Sequence, residues 1–299
     1  MTTILDVPGS NPPNPFLRPI QALLTPSNHS PPPTPAETAA DLINSVTTSS
    51  DPAHALWELW DAFFTAVATS PTSHNPHLSL LDALHAHPPT QLNVRARYYA
   101  SSYIRADGKL HWQTLPRFSA QWRDVHDILE AWRDWDGVRD SVAENDTIST
   151  LSSSGGEYFL SFCVFSAALL KVTKGKGNMH PIWVFFACRD VLERDGPQSR
   201  PQKAHRMSSE QLWALDVQVA ATWMRDGGRV LWEADYELRH WAALDDKTEL
   251  WLRGGLTRER WILWGKRLRA LSRQGILEET VAVVVEAADV VSGILEDST

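Results

Sequence analysis

Glu157, Arg189, Asp190 and Glu193 are the residues best suited to acid–base chemistry, because each lies on or beside one of the two most apolar stretches of the chain. A carboxyl group withdrawn from water holds its proton more tightly and can serve as a general acid or base near neutral pH. Arg189 and Glu193 stand four residues apart, so on a helix they also form an i,i+4 ion pair with a purely structural role. The spacing fits either reading.

Anion binding is the second chemistry on offer. Arg253, Arg258, Arg260, Lys266, Arg267, Arg269 and Arg273 face Glu259 as the one acid between positions 253 and 273. Lys266, Arg269 and Arg273 recur at helical spacing, which predicts a cationic ridge able to hold phosphate. Arg258, Arg260, Lys266, Arg269 and Arg273 are therefore candidate binding residues. A second cluster interleaves Arg95, Arg97, Arg105 and Lys109 with Tyr98, Tyr99 and Tyr103. That composition suits base stacking and phosphate neutralisation in single-stranded RNA, with Tyr99 and Tyr103 as the stacking platforms. Pairing with Glu278, Glu279, Glu286 and Asp289 would account for the basic faces without any ligand.

Other chemistries are poorly spelled. Asp245-Asp246-Lys247-Thr248-Glu249 matches an acidic DDxxE magnesium motif, but the companion that all-α terpene synthases need is incomplete at Asn145 to Ser153. The pairs His74 with His77 and His85 with His87 lack neighbouring ligands of zinc type, so no metal is expected. No phosphate-cradling glycine loop and no G-x-S-x-G elbow occur, and no cofactor is expected. Cys163 and Cys188 sit in apolar runs and read as small buried hydrophobes.

The elements that must position these groups are helical. Prolines crowd residues 8–35, which predicts an extended, disordered leader over 1–36. Asp51-Pro52 opens a helix carrying Leu56, Leu59, Trp60, Phe63 and Phe64 at helical spacing, and Phe118 to Trp135 forms an amphipathic one. Glu157 to Thr173 and Pro181 to Arg194 read as a core hairpin. Ser208 with Gln211 caps a helix that Gly227-Gly228 is expected to break or kink; Thr257 starts another, and Ile276 to Leu295 is the last. The expectation is an all-α fold, a single irregular multi-helix bundle over residues 37–299.

The totals fit this picture. Hydrophobic residues make up 43% of the 299-residue chain, enough for a core, and 36 acidic against 28 basic residues give −8, which argues against general adhesion to nucleic acid or anionic membrane. The apolar run Tyr158 to Leu170 is short for a membrane span and reads as a core helix. The N-terminus lacks a secretory pattern, so a cytoplasmic location is expected. Fourteen tryptophans are the most unusual feature, and they read chiefly as packing anchors, a minority lining a ligand pocket.

Glu157-Tyr158-Phe159-Leu160-Ser161-Phe162, then Ile182-Trp183-Val184-Phe185-Phe186-Ala187-Cys188-Arg189-Asp190-Val191-Leu192-Glu193, and Thr257-Arg258-Glu259-Arg260-Trp261 with Trp264 resemble a fungal family of helical proteins with a domain of unknown function (DUF 3632-like) over roughly residues 55 to 292. The resemblance implies a helical fold and an intracellular, fungal setting, with a loose link to specialised metabolism; it brings no catalytic residues. The leading expectation is a small-molecule enzyme or binding protein with a Trp-rich pocket. The alternatives are an aminoacyl-tRNA-dependent transferase, such as a cyclodipeptide synthase, which would make tRNA a partner, and a non-enzymatic helical interaction module.

Overall fold

The computed structural model describes residues 14–24, 33–70, 74–92, 102–135, 154–234, 238, 241–273 and 278–297. Ten α-helices lie among them, accompanied by a single pair of two-residue strands, so the all-α expectation holds. The single domain expected over 37–299 resolves into two compact units, residues 1–132 with 138–153, and residues 133–137 with 154–299.

The first unit contains α1 (Leu17–Leu24), α2 (Pro35–Thr48), α3 (Pro52–Ala68), α4 (Asn75–Ala86) and α5 (Phe118–Trp132), with β1 (Thr90–Gln91) antiparallel to β2 (Lys109–Leu110). Thr34 and Glu37 form a reciprocal capping box on α2, and Asp51 accepts the Ala53 and His54 amides at the start of α3. Both helices place a proline at their first position, where no intrahelical donor is lost. From Ala55 onward α3 is almost wholly buried, and Trp60, Phe63, Phe64 and Phe118 make an aromatic core. Trp60 meets Phe118 edge-on at 5.1 Å while its indole donates to the Pro116 carbonyl at 2.6 Å. Polar need and apolar area are satisfied together.

The leader departs from the extended chain expected of it. Residues 1–13 and 25–32 lie outside the described residues, but Leu17–Leu24 is a helix whose Ile20 is fully buried, and Phe16 just before it is nearly so. Pro19 falls in the first turn, where the missing N–H costs nothing, and Phe16 and Ile20 stand one turn apart. Asn14 fastens this end by donating to the Glu58 carbonyl at 2.8 Å. Folding also starts earlier than residue 37, since α2 begins at Pro35.

The second unit contains α6 (Gly155–Thr173), α7 (Ile182–Leu192), α8 (Ser209–Glu233), α9 (Arg258–Leu271) and α10 (Glu278–Glu296). Helix α8 is its spine, touching α6, α7 and α10. Ser208 and Gln211 form the expected capping box. Gly227 and Gly228 do not break the helix, which runs unbroken to Glu233. They let neighbours close in: a Cβ on Gly227 would fall 2.6 Å from Val184 and 2.8 Å from Leu170, and one on Gly228 would fall 2.7 Å from the Met224 sulfur. By length and composition α6 alone among the described helices could cross a membrane, and 61% of that window is buried inside the structure, as in a core helix.

Trp60, Trp112, Trp261 and Trp264 are fully buried, and Trp122, Trp223 and Trp251 nearly so, each within its own unit. These are packing anchors. Both cysteines are free and buried, and burial pushes the Cys188 thiol far up.

Candidate functional site

Of the four expected acid–base residues, Glu193 alone lies in the core, and its partner differs from the expected one. Glu193 caps the C-terminus of α7 with its side chain turned inward, fully shielded from solvent. Arg260, from the first turn of α9, meets it with Nε–Oε1 at 2.6 Å and Nη2–Oε2 at 3.0 Å. Trp264 Nε1 donates to Oε1 and Thr248 Oγ1 to Oε2, both at 2.8 Å. Arg260 Nη1 donates to the carbonyls of Leu244 and Gly255, and the guanidinium lies 4.7 Å from the centre of the Phe185 ring. Each carboxylate oxygen already accepts two hydrogen bonds, so Glu193 has little capacity left for a substrate. A charge this deep persists only when paired and fully hydrogen-bonded. Arg260 is therefore a core residue and leaves the expected ridge.

The remaining catalytic candidates lie outside the core. Glu157 is the exposed half of a capping box with Ser154. Arg189 reaches sideways to Asp190 at 2.8 Å and to Asp246 at 3.0 Å instead of along the helix to Glu193, and Asp190 is half-exposed. These four residues form no common site. The acidic DDxxE stretch is likewise engaged, with Asp246 on Arg189 and Glu249 accepting the Asp195 amide.

The ridge is shorter than its spelling. Arg258, Lys266, Arg269 and Arg273 are exposed, with Arg258 donating to the Leu295 carbonyl and Arg269 to Ser292. Arg267 grips the carbonyls of Arg194 and Asp195. Glu286 pairs with Arg225, not with α9. In the first unit, Tyr103 accepts a hydrogen bond from Arg117 at 3.0 Å. Tyr99, with Arg95, Arg97 and Tyr98, lies outside the described residues. His77 is fully buried beside His74, while His126, Asp127 and Glu130 bring one ligand atom each within 4.8 Å on a partly exposed turn of α5.

Sequence reasoning missed the site that does assemble. Just beyond α7, the segment from Arg194 to Arg200 folds against the start of α8 and the chain before α6, making a small pocket lined by Arg133, Arg194, Arg200, Gln198, Ser209 and Trp213 above Asp216. This half-open pocket holds about 30 Å3, room for a water-sized group. The loop is fixed at both ends. Arg267 and the Leu250 amide hold its start through the carbonyls of Arg194 and Glu193, and Ser209 Oγ accepts the Arg200 amide at 3.2 Å.

Charge in and around the pocket is lopsided. Among the residues that line the pocket, Arg133, Arg194 and Arg200 face one acid, Asp216, leaving a surplus of two positive charges on an acidic chain. Arg133 Nε pairs with Asp216 Oδ1 at 3.0 Å, Asp134 takes Arg206 and, at 3.5 Å, Arg200, and the Arg206 guanidinium stacks 3.9 Å over the Trp135 ring. Arg194 is half-buried and makes no side-chain hydrogen bond or ion pair among the described residues. Burial raises the Asp216 pKa above the ordinary carboxylate value, outweighing the opposite pull of Arg133, Arg200 and Arg194. The only sequence signal was Arg194 and Arg200 bracketing a Gly196-Pro197 turn; Arg133 and Asp216 come from distant positions.

The family described as "Protein of unknown function (DUF3632)" matches residues 60–268. The chain belongs to that family. No curated protein and no solved structure matches it. The matched span reaches from Trp60 in α3 to Leu268 in α9 and takes in every residue lining the arginine pocket.

Proposed function

We propose that this family member is a small-molecule binding protein whose second unit recognises an acidic head group, a carboxylate or phosphate, in the pocket of Arg133, Arg194 and Arg200. What carries the reading is Arg194: a half-buried guanidinium that makes no side-chain hydrogen bond or close ion pair among the described residues, beside Arg133 and Arg200, supplies donors for an anion. Trp213 on the same wall offers an apolar face to the body of the ligand. Asp216 tunes the site. When it takes up a proton it releases Arg133, so anion affinity rises as the pH falls through its elevated titration range. The wider setting, a cytoplasmic protein of fungal specialised metabolism, has the family resemblance as its support.

The test is calorimetric titration with inorganic phosphate and with phenylacetate. Both the Arg194→Ala and Arg200→Ala variants should bind the preferred anion about tenfold or more weakly, as expected for the loss of a charge-assisted contact. The reading is wrong if the parent takes up neither anion, or if both variants bind as the parent does.

A further inference from the structure

A second, chemically opposite site lies in the first unit. Helices α1, α2 and α3 enclose an open cleft of about 410 Å3, within the roughly 300–1,000 Å3 of small-molecule sites. Its floor is apolar: Phe16, Leu42 and Ala55 are buried there, and Pro15 and Pro19 of the α1 segment form one wall.

The polar rim is rich in hydrogen-bond acceptors. Asp41 and Glu58 contribute two carboxylates, and among the described residues no lysine or arginine lines the cleft. Ser45 and Thr48 also line it, but their hydroxyl protons are already donated to the carbonyls of Asp41 and Asn44, at 2.9 and 2.8 Å. Their remaining lone pairs accept. Ser49 Oγ accepts the Asp51 amide at 3.1 Å and keeps its own hydroxyl proton. Asp41 has no ion-pair partner among the described residues, and Glu58 has a loose one in His54, at 3.6 Å and largely exposed. An ammonium group, with three donors and no acceptor, complements such a rim, while a carboxylate or phosphate would face the like charges of Asp41 and Glu58.

We infer that this cleft binds a small organic cation, a primary amine with an apolar body, its ammonium between Asp41 and Glu58 and its body against Phe16 and Leu42. The site is independent of the arginine pocket in both residues and charge.

Calorimetric titration of the full chain with 2-phenylethylamine, compared with 2-phenylethanol of the same shape, tests this. The amine should bind at least about tenfold tighter than the alcohol, because the alcohol lacks the charge that the rim selects. Asp41→Asn and Glu58→Gln should each weaken amine binding by about three- to tenfold, and Arg194→Ala should leave it unchanged. Both carboxylates are at least partly exposed, and far-UV circular dichroism of the variants checks that they fold as the parent does. Three results overturn the inference. The amine binds no better than the alcohol; the Asp41→Asn/Glu58→Gln double variant binds it as tightly as the parent; or the full chain, its own N-terminal residues included, takes up no amine.

Discussion

Acidification should loosen the first unit through one buried imidazole. His77 is fully shielded on α4, with the Phe63 ring edge-on at 5.9 Å and the His74 ring at 5.2 Å. Burial, then the neighbouring His74 charge, lowers its pKa from 6.5 to about 4, against a hydrogen bond to the Ala66 backbone that favours the proton. In the unfolded chain the imidazole titrates near its ordinary value, so between pH 6.5 and pH 4 the unfolded state binds more protons. The stabilisation is complete above pH 6.5 and is lost as the pH falls towards 4. Integrated over that window, the proton uptake costs about 2 kcal/mol at pH 5 and roughly 3 kcal/mol below pH 4. Urea unfolding followed by far-UV circular dichroism at pH 7.5 and pH 5.0, on the parent and on His77→Leu, isolates the effect. The parent should lose about 2 kcal/mol more than the variant over this interval. Equal losses in the two proteins would refute the reasoning, because the acid sensitivity would then belong to other groups.

Two further substitutions test the second unit. Arg260→Met strands the Glu193 carboxylate in the core and should cost roughly 3–5 kcal/mol in urea unfolding, most of which Arg260→Met/Glu193→Leu should restore; a cost under about 1 kcal/mol in the single variant would contradict the fully buried pair. Gly227→Ala should lower the melting temperature, because the new methyl meets the buried, rotamer-stiff Val184 at 2.6 Å, an overpacking cost of about 1–3 kcal/mol against roughly 1 kcal/mol of helix propensity gained. A rise in melting temperature would mean that the contact relaxes freely.

Local chemistry was legible in the sequence. The capping box of Ser208 with Gln211 and the Asp51-Pro52 start each lie within one or two turns of chain, and the structure has them where their spacing puts them; of the α5 stripe it buries Phe118, Trp122, Val125 and Leu129, and the helix ends at Trp132, short of the expected Trp135. Partnerships across the chain were not. Glu193 had an eligible arginine four residues back, and nothing in either segment says that the one it takes is 67 residues ahead. The arginine pocket draws on positions 133, 194, 200 and 216, each unremarkable by itself. Gly227 and Gly228 looked like a break because only the packed neighbours show that the missing side chains make room for Val184 and Leu170. In the leader, proline density masked the Phe16 and Ile20 pair, whose burial decides that segment.

The buried pair of Glu193 and Arg260 ends one residue before the pocket begins. Arg267 adds a clamp on the next two carbonyls, so Arg194 projects from a firmly held point of the second unit, and residues 196–200 run on, largely exposed, to the tie between the Arg200 amide and Ser209. The buried anchor and the pocket loop are thereby adjacent but separate along the chain. Changes in the length or composition of this loop are expected to alter binding at the proposed anion site without touching the core.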